Sequence, residues 1–163
     1  MITYIGLYHP WRGGTNPDFD AFSANILELK RGNMVEHFAD MLCRYVDAST
    51  LDVVCIVPSH CANGDGNGIR HVASSLSKRL GLCDACRCLH RHTTINKLAN
   101  GGCRNVDVHL RSIMVCDASA IRNKRVLLLD DVTTTGNSLY ACRELLLTAG
   151  AATVVCFALA QTA

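Results

Sequence analysis

Short apolar segments alternate with longer amphipathic segments along most of this chain. The apolar run at residues 52–57 stops at Pro58, and a glycine-rich loop then leads into an amphipathic stretch over residues 69–80. The same order recurs from the apolar run at 125–129, through a loop rich in threonine and glycine, into a second helical pattern. Because parallel strands are joined by crossover helices, this order predicts an α/β fold with a parallel sheet.

Three further segments extend the pattern. Residues 153–160 are apolar throughout and predict another buried strand. Residues 3–7 predict an edge strand, and residues 34–45 carry apolar side chains at helical spacing. The helix after the second loop is predicted to end at Gly150 and to share one apolar face among Leu139, Cys142, Leu146 and Ala149.

Composition narrows the class of protein. The chain has 163 residues, which predicts one domain, and its 49% hydrophobic and 18% charged residues exclude a disordered chain. The net charge of +2 is too small for a general nucleic-acid binder, although it does not exclude a local basic groove. No apolar run reaches the roughly 18 residues of a membrane span, and the amino terminus lacks a signal-peptide pattern. We therefore expect a cytoplasmic protein without a membrane partner.

The ten cysteines allow two interpretations. We expect most of them to be reduced and to pack as small hydrophobic side chains, because the chain is long enough to bury a core. A separate cluster could hold zinc, and it consists of Cys83, Cys86, Cys88, His90 and His92. We interpret residues 86–92 as a strand instead, predict no metal ligand there, and leave the zinc site open.

The segment from Val126 to Ser138 carries the most specific chemical signal. Asp130 and Asp131 follow the apolar strand, where ligands bind in open parallel sheets. The loop from Thr133 to Ser138 then leads into a helix, whose free N–H groups and positive dipole favour a phosphate. Paired carboxylates suit the vicinal hydroxyls of a ribose. The segment predicts a sugar-phosphate site; the alternative is an ordinary turn with Ser138 as a helix cap.

These residues resemble the phosphoribosyl-pyrophosphate (PRPP) motif of type I phosphoribosyltransferases. The resemblance is closest to the ComF-like branch, whose Leu-Lys-x-Gly element is similar to residues 29–32 here and whose Val-Pro turn is similar to Val57-Pro58. It covers residues 29–162. It implies an open, mostly parallel twisted sheet flanked by helices, with a small amino-terminal hood, a core over residues 52–163 and a mobile lid loop.

The resemblance also implies roles for individual residues. Asp130, Asp131 and Arg104 are implied as catalytic. The implied substrate-binding residues are Val132, Thr133, Thr134, Thr135, Gly136, Asn137, Ser138, Pro58, Ser59, His60 and Arg91. The lid is implied over residues 91–105, although the family's usual glutamine is not evident there. The hood, residues 1–30, would read the acceptor with its aromatic side chains, Tyr8, Trp11 and Phe19.

The implied activity is transfer of ribose 5-phosphate from PRPP and Mg²⁺ to a nitrogen base or related amine. An alternative is a catalytically weak or inactive protein that senses PRPP or nucleotides, or a ComF-like accessory protein of DNA processing. A third hypothesis is a metal-binding module at residues 83–92. The identity of the acceptor is not readable from the sequence, and a homodimer stays open.

Overall fold

The computed structural model describes residues 1–62, 67–95 and 105–163. In this part of the chain, a five-stranded parallel sheet has the order β1-β7-β6-β2-β3, and β4 pairs antiparallel with β5 in a separate small sheet. The strands are β1 (Ile2–Tyr8), β2 (Val53–Ile56), β3 (Cys83–Asp84), β4 (Leu89–Arg91), β5 (Ile113–Val115), β6 (Arg125–Thr133) and β7 (Thr153–Thr162).

Helices cover both faces of the sheet. They are α1 (Ala21–Lys30), α2 (Val35–Tyr45), α3 (Asn67–Leu80), α4 (Val106–Ser112) and α5 (Asn137–Thr148), with 3₁₀ turns at Arg12–Gly14 and Ala48–Thr50. One apolar core joins the sheet to α1, α2 and α3, and the other joins the opposite face to α5. This is the predicted open, mostly parallel sheet flanked by helices.

The periodicity predictions are confirmed, with small shifts at the ends of elements. The segment predicted as an edge strand is β1, which pairs only with β7 in the described sheet. The helical pattern at residues 34–45 is α2, and Leu139, Cys142 and Leu146 are fully buried on α5. Gly150 adopts φ +103° just after α5, a conformation that favours glycine. None of the helices in the described ranges is long and apolar enough to cross a membrane.

The interpretation of residues 86–92 as one strand is wrong. The backbone N–H of Cys86 donates to the side chain of Asp84 at 2.9 Å, and that of Cys88 donates to the carbonyl of Ala85 at 2.9 Å. These bonds turn the chain between β3 and β4, so Cys86 and Cys88 enter opposite cores. Among the described residues, no group of three or more His, Cys, Asp or Glu side chains is placed to hold a metal ion.

Candidate active site

A cavity of about 270 Å³ lies at the carboxyl ends of β2 and β6. The sheet order makes these strands neighbours, so the segments that follow them meet at one edge. The predicted site residues that line the cavity are Pro58, Ser59, His60, Arg91, Asp130, Asp131, Val132, Thr133, Thr134, Thr135, Gly136 and Ser138. Asn137 begins α5 and is not among the lining residues, and Arg104 lies outside the described residues.

Asp130 is nearly buried, with 9% of its surface exposed. Its Oδ1 accepts the backbone N–H of Asp131 at 2.9 Å, and its Oδ2 lies 3.4 Å from the hydroxyl of Ser138. Burial, followed by the neighbouring charge of Asp131, raises the pKa of Asp130 well above its ordinary value. The carboxyl group therefore has little internal compensation for a negative charge and would gain from a hydroxyl donor in the cavity.

Asp131 is partly exposed and lies beside a cation. Its Oδ2 is 3.5 Å from Nζ of Lys30, the last residue of α1, and its Oδ1 accepts the backbone N–H of Val132 at 2.6 Å. Lys30 Nζ also lies 5.8 Å from the centre of the Tyr8 ring. The two adjacent carboxylates thus differ: one is enclosed, and the other is open to the cavity and paired with a lysine.

The alternative in which the two aspartates only begin a turn does not fit the structure. Both lie inside β6, whose pairing with β7 continues through Asp130 and Val132 to Thr133. Ser138 is not the helix cap either, because Gly136 occupies that position with φ +78°. The strand therefore carries the carboxylates directly to the cavity.

The loop after β6 has the features expected of a phosphate site. Gly136 has φ +78°, a conformation that favours glycine, and an added Cβ would also lie 2.6 Å from Cδ1 of Ile2, whose side chain would have to shift. Thr133 lines the cavity, and its Oγ1 is buried without a hydrogen-bond partner among the described residues. Thr134 is held by a 2.9 Å hydroxyl contact with Thr162. An unpartnered buried hydroxyl beside the amino end of α5 fits an anionic oxygen as its partner.

The turn after β2 also lines the cavity, through Pro58, Ser59 and His60. Its own hydroxyl, Ser59 Oγ, accepts the backbone N–H of Cys61 at 3.1 Å. The carbonyl of His60 accepts the N–H of Ile95 at 3.0 Å, and Nε of the buried Arg91 donates to the carbonyl of Ser59 at 2.5 Å. Hydrogen bonds within the protein therefore hold this turn in place.

Five further residues line the cavity and were not predicted from the sequence, namely Lys30, Val57, Ile69, Ile95 and His109. Lys30 had a signal, since it belongs to the Leu29–Gly32 element already noted. His109 had none, because it is brought to the cavity by the packing of α4 and follows no recognisable pattern. Of the aromatic residues expected to read an acceptor, Trp11 and Phe19 pack edge to face at 4.8 Å and do not line the described cavity.

Comparisons with known proteins bear on the fold and the site. The phosphoribosyl transferase domain family matches residues 71–163, which include β6, the paired aspartates and the loop after them. No curated protein gives a significant match.

Solved structures give more distant likenesses. They include a phosphoribosylpyrophosphate synthetase from Mycobacterium smegmatis (20% identity, TM-score 0.47, covering 79% of this chain and 33% of that one). A glutamine PRPP amidotransferase from B. subtilis has 21% identity and a TM-score of 0.46, covering 86% of this chain and 28% of that one. A hypoxanthine phosphoribosyltransferase from Staphylococcus aureus has 16% identity and a TM-score of 0.38, covering 80% and 60%. The chain spans about a third of the length of the first of these proteins.

Proposed function

Because this chain belongs to the phosphoribosyl transferase domain family, we propose that it transfers the ribose 5-phosphate of PRPP to a nitrogen base or related amine. The observation that carries this proposal is the meeting of Asp130 and Asp131 with the loop from Thr133 to Ser138 in one cavity. A cavity with acceptor groups for hydroxyls next to donor groups for a phosphate suits a sugar phosphate.

The reaction breaks the bond between the anomeric carbon of the ribose and an oxygen of pyrophosphate. It forms a bond from that carbon to the acceptor nitrogen, which loses a proton. Positive charge develops on the sugar in the transition state, and Asp130 and Asp131 would oppose it while accepting hydrogen bonds from the ribose hydroxyls. Because Asp130 is enclosed, its interaction with that charge would be weakly screened by water.

The two phosphate ends of the ligand would occupy different walls. The 5-phosphate would accept hydrogen bonds from the amino end of α5 and from Thr133 Oγ1, the buried hydroxyl without a partner among the described residues. The pyrophosphate would lie toward Ser59 and His60, on the turn that Arg91 anchors. Arg104 was predicted to contribute there and stays a prediction.

Magnesium is part of this proposal, and the donor set fits it. Carboxylate oxygens are ligands that Mg²⁺ prefers, and Asp131 offers one at the open side of the cavity. When bound, the ion would supply positive charge to the leaving phosphate oxygens. Asp131 is the residue that would hold it, with Asp130 behind.

The first test is binding followed by turnover. Saturating PRPP with Mg²⁺ should raise the Tm of the full chain, because a ligand of the native state stabilises it. A panel of bases and amines, read by pyrophosphate release, should then identify the acceptor. A folded protein whose Tm does not respond to PRPP would overturn the proposal.

Membership of the ComF-like branch is a finer proposal, and Lys30 supports it. This lysine belongs to the Leu29–Gly32 element on which the resemblance rests, and its ammonium group lies beside Asp131 at the site. Such a relative could bind PRPP without transferring it, as an accessory protein. PRPP binding without pyrophosphate release across the panel would favour that alternative. A cytoplasmic location and a homodimer remain predictions.

A further inference from the structure

A buried polar cluster adjoins the turn at residues 58–61, and two of its members, Arg91 and His109, line the cavity themselves. Its members are Arg91 at the end of β4 and His109 and Ser112 on α4, which are 3%, 4% and 3% exposed. Side chains of this kind are rarely enclosed unless their polar groups are bonded. The cluster is therefore a built feature of the fold, and the proposed function assigns no role to His109.

The guanidinium of Arg91 joins three segments of the chain. Its Nε donates to the carbonyl oxygen of Ser59 at 2.5 Å, one terminal nitrogen donates to the hydroxyl of Ser112, and the other contacts Nδ1 of His109 at 3.3 Å. A planar fork held at three points cannot rotate without losing bonds. The contacts from α4 therefore fix the orientation in which Arg91 meets the turn at residues 58–61.

The chemistry of the contact defines the state of His109. An arginine side chain has only donors, so Nδ1 of His109 must accept the bond and carry no proton. The ring proton of a neutral His109 then lies on Nε2. If the imidazole of His109 carried both protons, its Nδ1–H would face an N–H of the Arg91 guanidinium, and this contact with Arg91 would be lost.

We propose that His109 is a positioning residue for the anion-binding turn at residues 58–61, acting through Arg91. This inference rests on the proposed function, because it takes the pyrophosphate group of PRPP as the anion at that turn. The turn lines the cavity and its Ser59 carbonyl depends on the Arg91 bond. Support from His109 would hold the turn ready for the ligand before it binds.

The test compares two substitutions that differ by one bond in length. The oxygen of Asn in H109N stands about as far from the backbone as Nδ1 does in histidine, so it can accept from Arg91. The oxygen of Gln in H109Q stands one bond further out and cannot replace Nδ1 in the same place. H37Q, at an exposed position of α2, is the matched control.

Two probes separate positioning from general damage to the fold. Calorimetry measures the affinity for two ligands. PRPP with Mg²⁺ would contact the turn at residues 58–61 as well as the aspartates and the loop after β6. Ribose 5-phosphate lacks pyrophosphate and would contact only the aspartates and the loop. We expect H109Q to weaken PRPP binding about tenfold or more and ribose 5-phosphate binding by less than about twofold. H109N should recover most of the loss.

Ser112→Ala provides a second variant, since Ser112 supports the same guanidinium without lining the cavity. It should show the same selectivity against PRPP, with circular dichroism and Tm confirming that each variant is folded. Equal PRPP binding by H109Q and the wild type, or equal loss of both ligands, would overturn the inference while the proposed function stands. A wild-type protein that binds neither ligand would overturn the proposed function and this inference with it.

Discussion

At the amino end of strand β6, the carboxylate of Asp52 meets the guanidinium of Arg125, whereas at its carboxyl end Asp130 and Asp131 stand side by side. Asp52 accepts two bonds from the Arg125 side chain, at 2.9 and 3.1 Å, and a third from its backbone N–H at 2.8 Å. These hydrogen bonds lower the pKa of Asp52 to about 2. At the other end, burial raises the pKa of Asp130.

The difference separates a structural pair from a candidate binding pair. Asp52 has its charge matched within the protein, so a ligand has little to add. Asp130 is enclosed beside the like charge of Asp131, and Lys30 forms its ion pair with Asp131, so its charge only partly offsets the raised pKa of Asp130. Strong pKa perturbation in a cavity is a common mark of functional residues, because the missing compensation is left for the ligand.

The largest expected effect comes from replacing both aspartates at the carboxyl end of β6. Asp130→Asn with Asp131→Asn replaces both carboxyl groups by amides, and a charge-assisted bond from a carboxylate to a ribose hydroxyl is worth about 1.5 to 3 kcal/mol. We expect PRPP affinity to fall on the order of 100-fold or more, while the fold survives. Calorimetry measures it, with Asp18→Asn at an exposed loop position as the control. Unchanged affinity in a folded double variant would mean that the pair does not contact the ribose.

A second prediction concerns the pH dependence of stability at the same end. A carboxyl group whose pKa is raised by folding keeps its proton after the unfolded chain has released it, so the free energy of unfolding falls as pH rises above about 4. Asp130→Asn removes this penalty. We expect the variant to be more stable than the wild type near pH 7 and to gain less near pH 4, measured by urea unfolding. A constant difference between the two proteins across this range would contradict the raised pKa.

Asp52→Asn should act with the opposite sign and a smaller size. A carboxylate whose pKa is lowered by folding stabilises the protein above its unfolded value near 4, and that contribution is lost as pH falls toward 2. We expect the variant to melt roughly 1 to 3 °C lower at pH 7 and to match the wild type near pH 2. PRPP affinity should not change, because Asp52 lies at the far end of β6. Reduced affinity would show that the two ends are coupled.

The smallest effect on stability is expected from Lys30→Gln. The Lys30–Asp131 pair is partly exposed on both sides, and such pairs contribute about 0.5 kcal/mol or less. The Tm should therefore change by less than about 2 °C. Arg31→Gln, at the next position and also exposed, is the matched control. A large loss of stability would show that Lys30 mainly stabilises the fold, and it would weaken the assignment of Lys30 to the binding site.

Patterns that repeat along the chain were readable from sequence, and contacts across the chain were not. Apolar periodicity predicted β2, β6, β7 and α3, because each buries a continuous face. Apolar periodicity predicted that β6 ends at residue 129, whereas its pairing with β7 continues to Thr133. The turn between β3 and β4 is held by hydrogen bonds from the N–H groups of Cys86 and Cys88, one of them to the side chain of Asp84, and periodicity does not record such bonds.

The site divides in the same way. The aspartates and the phosphate loop are contiguous in sequence, so their resemblance to a known family could be recognised from the sequence alone. Lys30 and His109 reach the cavity from helices distant in sequence, through the packing of α1 and α4 against the sheet. No local pattern distinguishes His109 from a surface histidine, whereas Lys30 belongs to the Leu29–Gly32 element on which the family resemblance rests.

The pairing of β1 with β7 has a consequence for the order in which the chain can fold. Residues 2–8 find their described partner strand only at residues 156–162, so this pairing closes nearly the whole length of the chain. Contacts of such long sequence separation form late, because loop closure costs entropy before the contact repays it. During synthesis on the ribosome, the segment Ile2–Tyr8 would remain without this neighbour until residues 156–162 have emerged. Until then, the unpaired backbone groups of this segment stay available for pairing with other strands.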